Sequence, residues 1–361
     1  MSQAFLEYVT RWRPVIAAAI QSFIDQHAHL LRSVAPHSDH LIPLLADYAS
    51  RGKMLRGVLA ILGTNLFSDR IPESSKSLAL SLELLQSGLL VHDDIMDHDS
   101  LRRGMPTFHI QLENMLSADG TPTSFLHRNV RASLAEAQGI CAGDAYFFLS
   151  WKALSSTPPD VAALVAEEHL RVAAAQMNDV ELGSIAAIPN LNQVLSMYRY
   201  KTARYSVALP LVAGSMLSHT APREAIPFLE NFGEALGVIF QIQDDWIGLF
   251  GNEKESGKPT GSDLKEGKKT PYIIKLWSKL SPSDRERLGS ILGNRSLALE
   301  DIEWVRSSIL SYGIEQSISS ITQELLTQAS EALDKIDSFS PNGEAAAALK
   351  SFMIYSTSRK G

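Results

Sequence analysis

Residues 90–107, LVHDDIMDHDSLRRGMPT, place Asp93, Asp94, Asp97 and Asp99 and then Arg102 and Arg103 directly behind a run of leucines. On a helix, Asp93 and Asp97 are four residues apart and Asp94 and Asp97 three, so their carboxylates converge on one face. Like charges at that spacing destabilise an isolated helix, so either a cation compensates them or the helix end lies in solvent. Mg²⁺ suits the first case: it takes hard oxygen ligands, keeps several waters and bridges one or two carboxylates to substrate phosphates. The arginines that follow suit the phosphate side, which they grip through paired N–H donors. An acidic helix end with arginine neighbours accounts for the same residues, and this stretch alone leaves both readings open. The segment FQIQDD (240–245) raises the same question far along the chain, with Asp244 and Asp245.

The elements that must position these groups are helices. DYASRGKMLRGVLAILGTNLF, SKSLALSLELLQSGLLVHDDIMD, DVAALVAEEHLRVAAAQMNDVELG and AIPFLENFGEALGVIFQIQDDWIGLF all repeat apolar residues at three and four. Alternating strand patterns bounded by hairpin turns are absent. Turn-forming clusters at 117–124, 155–160, 218–224, 280–286 and 338–344 separate the helices, and none is long enough to be a flexible linker. Several helices are apolar nearly all round, which marks central members of a large bundle. The expected architecture is one all-α domain over residues 1–361. With 45% hydrophobic and 20% charged residues the composition is that of a soluble globular protein, and a net charge of −7 argues against a nucleic-acid surface. The one cysteine, Cys141, excludes an internal disulfide and points to a reducing compartment. No apolar run approaches the roughly 20 residues that cross a bilayer, and the amino terminus lacks a signal-peptide centre, so a cytoplasmic location is expected.

DDIMD followed by RRGMPT resembles the first aspartate-rich motif of the trans-isoprenyl diphosphate synthases. GKMLR (52–56), QMNDV (176–180), KTARY (201–205), FQIQDD (240–245) and GKPTGSDLKEGKKT (257–270) resemble further segments of that family, in the same order. The resemblance implies an all-α bundle of the isoprenoid synthase type with a central active-site cavity. It also implies a Mg²⁺-dependent prenyltransferase that joins isopentenyl diphosphate to dimethylallyl, geranyl or farnesyl diphosphate, acting as a homodimer.

By the same resemblance, Asp93, Asp94, Asp97 and Asp244 hold metal, and Arg102 and Lys258 grip the allylic diphosphate. Lys53, Arg56, Gln86 and Arg103 take the metal-free isopentenyl diphosphate. Lys201 lies on the leaving diphosphate, with Thr202, Gln176 and Tyr205 beside the developing cation and Gln241 among the substrate-binding residues; Lys265, Lys268 and Lys269 are expected to be solvated. Two departures stand out: Gly248 occupies the place of a third aspartate in the second motif, and Arg51 and Gly57 flank the lysine segment where glycine and proline are usual. A class I terpene cyclase and a non-catalytic subunit of a heteromeric synthase remain the competing readings. For product length, Gly88 is expected to leave the first level of the pocket open, with Leu85 or Ser81 limiting a C20 chain. The alternative is that Gly88 lets two helices pack closely.

Overall fold

The computed structural model describes residues 3–34, 39–102, 104–118, 126–185, 187–251 and 261–357. Helices follow one another along the whole chain: α1 (Gln3–Val34), α2 (Leu41–Ser50), α3 (Leu55–Asn65), α4 (Glu73–Met96), α5 (Phe108–Leu116), α6 (Arg128–Leu154) and α7 (Pro159–Ser184). Next come α8 (Leu191–Tyr198), a π-helical stretch (Arg199–Ala208), α9 (Leu209–Met216) and α10 (Ile226–Phe250). The remainder is α11 (Ser262–Lys265), α12 (Pro271–Lys279), α13 (Pro282–Ile291), α14 (Leu299–Ser311), α15 (Ile314–Phe339) and α16 (Gly343–Thr357). The architecture is all-α, as the periodicity predicts; the turn clusters at 155–160, 218–224, 280–286 and 338–344 each mark a boundary between helices and overlap a helix end, and most of 117–124 lies outside the described residues. One small sheet was not foreseen: β1 (Leu101–Arg102) pairs antiparallel with β2 (Met105–Pro106). Two residues per strand are too few to show a period of two.

α4 is the axis of the bundle. Its leucines surround it, and Leu78 to Gly88 are buried without interruption, because α3 and α6 cover opposite sides and α1, α2, α5 and α9 close the rest. Each fully buried leucine here contributes about 1.5–3 kcal/mol of transfer free energy. The neighbouring α3 and α9 meet backbone to backbone. A Cβ at Gly63 would lie 2.3 Å from the Leu211 carbonyl oxygen, and one at Gly214 would lie 2.0 Å from that of Ala60. One apolar cluster joins the amino-terminal helices, α9 and α10 to α15 and α16. A second packs α8 and the end of α10 against α12 to α15. A third, made by Leu78, Leu82 and Leu85 of α4 with Val161, Val165 and Val172 of α7, lies directly behind the first aspartate motif.

Candidate active site

α4 ends at Met96, so Asp93, Asp94 and Asp97 occupy its last turn and cap, where the leucine-rich body gives way to solvent. They do not face one way. Asp94 is fully buried, with Arg102 Nε at 2.5 Å from Oδ1 and the Tyr48 hydroxyl donating to Oδ2 at 3.2 Å. Burial holds its pKa above the usual carboxylate range, and Arg102 opposes that shift only in part. The β1–β2 turn brings Arg102 back to this carboxylate, and Gly104 adopts the left-handed φ of 73° that the turn needs. Asp94 thus serves as the anchor of Arg102, which also lies 3.5 Å from Asp93. Both oxygens of Asp94 are thus engaged from the protein side.

Asp93 and Asp97 stay partly open. Asp93 Oδ1 accepts from the Gln176 amide at 3.1 Å and lies 3.5 Å from Lys201 Nζ. Lys201 is also paired with Asp179 of α7, and these two carboxylates raise its pKa against the opposing effect of burial. Asp97 Oδ2 is 3.5 Å from Lys268 Nζ, which stands 4.0 Å from Asp263 and 2.5 Å from Glu266. Lys268 therefore links the end of α4 to Asp263, which itself rests against Gly248 of α10. It is not solvated loop charge, and Lys269 is not either: its Nζ donates to the carbonyls of Leu182 at 2.7 Å and Gly183 at 3.2 Å. Both lysines sit in a chain whose glycines turn it back between α7 and α10, which composition alone does not reveal.

On α10, Asp244 is partly open whereas Asp245 is buried, accepting from the Tyr198 hydroxyl at 2.6 Å and the Gln241 amide at 3.3 Å. Gln241 in turn accepts from the Thr202 hydroxyl at 3.0 Å, so Thr202 and Lys201 stand between α4, α7 and α10. The space beside Gly248 is not vacant. A Cβ there would lie 2.3 Å from Asp263 Oδ2, so another part of the chain already brings a carboxylate to this place.

Apart from these carboxylates, Arg56 donates to the hydroxyls of Tyr205 at 2.9 Å and Ser206 at 2.6 Å, and the Tyr205 hydroxyl donates to Gln86 Oε1 at 2.9 Å. The Arg56 guanidinium also lies 4.5 Å from the Tyr205 ring centroid, and its buried Nε has no partner. Lys53 donates to the Tyr355 hydroxyl of α16 at 2.8 Å. Arg103 and Lys258 lie outside the described residues.

Among the described residues no group of three or more His, Cys, Asp or Glu side chains forms a metal cage by itself. The donor set fits a different use. Asp93, Asp97 and Asp244 are partly open hard oxygen donors, with Lys201, Lys268 and Arg102 beside the first two. Mg²⁺ shared between protein carboxylates and a bound phosphate needs that arrangement rather than an all-protein cage. No helix among the described residues is long and apolar enough to cross a membrane.

The sequence profile of the polyprenyl synthetase family matches residues 39–309. The chain is 30% identical over 319 residues to a short chain isoprenyl diphosphate synthase of Methanothermobacter thermautotrophicus, covering 88% of each. It is 31% identical over 270 residues to a geranylgeranyl diphosphate synthase of Saccharolobus solfataricus, covering 74% of this chain and 75% of the relative. A crystal structure of geranylgeranyl pyrophosphate synthase from Corynebacterium glutamicum, complexed with isoprenyl diphosphate and magnesium, superposes with a TM-score of 0.86 at 28% identity, covering 97% of this chain and 99% of that one. With the profile spanning most of the sequence, the chain belongs to the polyprenyl synthetase family and is a prenyltransferase of the trans-isoprenyl diphosphate synthase type.

Proposed function

We propose that this prenyltransferase condenses isopentenyl diphosphate with an allylic diphosphate and that geranylgeranyl diphosphate is its main product. One observation carries the reading: Lys201 and Lys268 stand beside the carboxylates of the first aspartate-rich segment, 3.5 Å from Asp93 and from Asp97 respectively. Alternating fixed charges of this kind suit a diphosphate held with divalent cations. Bound Mg²⁺ would be held by Asp93, Asp97 and Asp244, and it neutralises charge on the departing diphosphate.

The chain's own groups then divide the work. Lys201, Lys268 and Arg102 bind the allylic diphosphate oxygens and favour the leaving group. Gln176, Gln241 and the Thr202 hydroxyl line the place where the allylic cation forms. Arg56, with its spare Nε–H, and Gln86 and Lys53 receive the second diphosphate, whose double bond attacks the cation; Arg103 and Lys258 are assigned to the two diphosphates on the resemblance. A proton leaves C2 of the isopentenyl unit to the released diphosphate. Such catalysis is positioning and electrostatics in a site closed to water. A terpene cyclase would have no use for the Arg56 site.

The reading takes residues 1–361 as one cytoplasmic domain acting as a homodimer. Supporting the dimer, α6 and α7 expose Ile140, Phe148, Leu170 and Met177, with Phe148 at 74% and Leu170 at 73%. Phe148→Glu should convert dimer to monomer in analytical ultracentrifugation; an unchanged mass would remove this face from the interface. Purified protein incubated with Mg²⁺, isopentenyl diphosphate and farnesyl diphosphate should give a C20 diphosphate. Cyclic hydrocarbon, or no product from the chain alone, would favour the cyclase or the non-catalytic subunit.

Gly248→Asp tests the second motif. Because Asp263 already fills that space, the added carboxylate should repel it and raise the Mg²⁺ concentration for half-maximal rate. A lower requirement would mean that position 248 itself faces the metal.

A further inference from the structure

Lys269 lies where two elements that carry site residues meet, and the mechanism above gives it no part. Its Nζ donates to the carbonyl oxygens of Leu182 at 2.7 Å, Gly183 at 3.2 Å and Gly267 at 3.3 Å, and the residue is only 8% exposed. An ammonium has three N–H donors, so all of them are spent on backbone carbonyls. Leu182 and Gly183 belong to the last turn of α7, where carbonyls have no amide left to accept from within the helix. A cation placed there also meets the negative end of the helix dipole. Lys269 therefore caps α7, and a lysine used in this way is not reserved for a diphosphate.

The cap fixes the chain on both sides of the contact. Gly267, at a left-handed φ of 73°, passes so near its neighbours that a Cβ there would lie 3.3 Å from the Gly183 carbonyl oxygen and 3.4 Å from Gly293 Cα. The Gly293 amide in turn donates to the Leu264 carbonyl at 2.8 Å. Residues 264–269 are thus wedged between the end of α7 and the chain that follows α13. Lys268, within this wedge, reaches Asp97 at 3.5 Å. On α7, Asp179 pairs with Lys201 and precedes Leu182 by less than one helical turn. Gln176, which donates to Asp93, stands about one turn further back. A single capping contact therefore sets Lys268 against the α7 residues that hold Lys201 and Asp93.

We propose that Lys269 is a positioning residue for the allylic diphosphate: by capping α7 it holds Lys268 in place beside the first aspartate motif. The proposal rests on the prenyl diphosphate synthase reading above, in which Lys268 binds the allylic diphosphate while Lys53, Arg56 and Gln86 receive the other. Those three residues come from α3, the turn before it and α4, outside the capped segment, so loss of the cap should act on one substrate. Initial rates of wild type, Lys269→Met, Lys268→Met and the double variant are measured with Mg²⁺, varying farnesyl diphosphate and isopentenyl diphosphate in turn. Lys269→Met should raise KM for farnesyl diphosphate about tenfold, the loss of one hydrogen bond to a charged group, and leave KM for isopentenyl diphosphate unchanged. The double variant should match Lys268→Met in KM for farnesyl diphosphate, because Lys269 works through Lys268. A purely structural role would lower the melting temperature and move both constants together. If Lys269→Met does not fold, Lys269→Gln, which keeps an N–H donor toward the carbonyls, is held to the same pattern with a smaller rise. Equal rises in both KM values, or a double variant in which the two effects multiply, overturn the role of Lys269 and leave the functional reading standing. A wild type that makes no prenyl diphosphate overturns the functional reading itself, and the proposal with it.

Discussion

Asp93→Ala lowers turnover by several orders of magnitude while the helical content is unchanged. Asp93 is where the site's charges meet: Gln176 at 3.1 Å, Lys201 at 3.5 Å and Arg102 at 3.5 Å all address it. Its carboxylate is partly open, so losing it does not empty a core position. What is lost is a hard oxygen donor toward the metal and the counter-charge that orients Lys201 toward the diphosphate. Stabilisation of a leaving diphosphate is nearly all electrostatic, so each lost metal ligand acts on the barrier itself. Initial rates at saturating substrates, with circular dichroism of both proteins, measure this. A variant within tenfold of wild type would show that Asp93 does not hold the metal.

The fold was largely legible because helices that bury a face must write that face into the sequence. α4 and α10 are long helices rich in apolar residues, and both motifs sit toward their carboxyl-terminal ends. The charged triad on α4 was legible in part. Spacing brings Asp93, Asp94 and Asp97 together, but helix rotation decides that Asp94 points inward to Tyr48 and Arg102. Rotation depends on which neighbour covers each side, and one sequence does not state it. Gly88 shows the same limit from the other direction. The glycine is visible in the sequence, whereas the residue that fills its space, Phe147, is separated from it by the end of α4, the β1–β2 hairpin, α5 and much of α6. Lys268 is not legible, because a lysine in a glycine-rich segment reads as solvated, whereas the folded segment sets it beside Glu266, Asp263 and Asp97. The π-helical stretch had no signal at all. RYKTARYSVA has ordinary helix formers, and an extra residue per turn leaves no mark in composition.

That stretch sets the second expectation: Arg204→Met should destabilise the protein by about 3–5 kcal/mol and slow the reaction as well. Ten residues of π-helix are unusual, since this geometry normally survives only as a single widened turn at functional sites. Neighbours must therefore hold it. On one side α10 presses against it through glycines: a Cβ at Gly237 would lie 2.3 Å from Ala203 Cα, and one at Gly233 2.4 Å from Ala208 Cα. On the other, Arg204 grips Glu168 of α7 through Nε at 2.9 Å and Nη2 at 2.7 Å, and also pairs with Glu234 of α10. Glu168 is only 2% exposed. Removing the guanidinium leaves it with Arg171, 2.6 Å from Oε1 on its own helix, which does not tie α7 to the π-helix. An incompletely paired buried carboxylate is the costly product of such a cut, whereas removing both partners costs less. The double variant Arg204→Met/Glu168→Met should thus recover part of the lost stability in urea unfolding. Lys201 and Thr202 lie within the same stretch, so loosening it should lower kcat more than it raises KM for either diphosphate. An unchanged urea midpoint for Arg204→Met would mean that the glycine contacts with α10 hold the π-helix without the ion pairs.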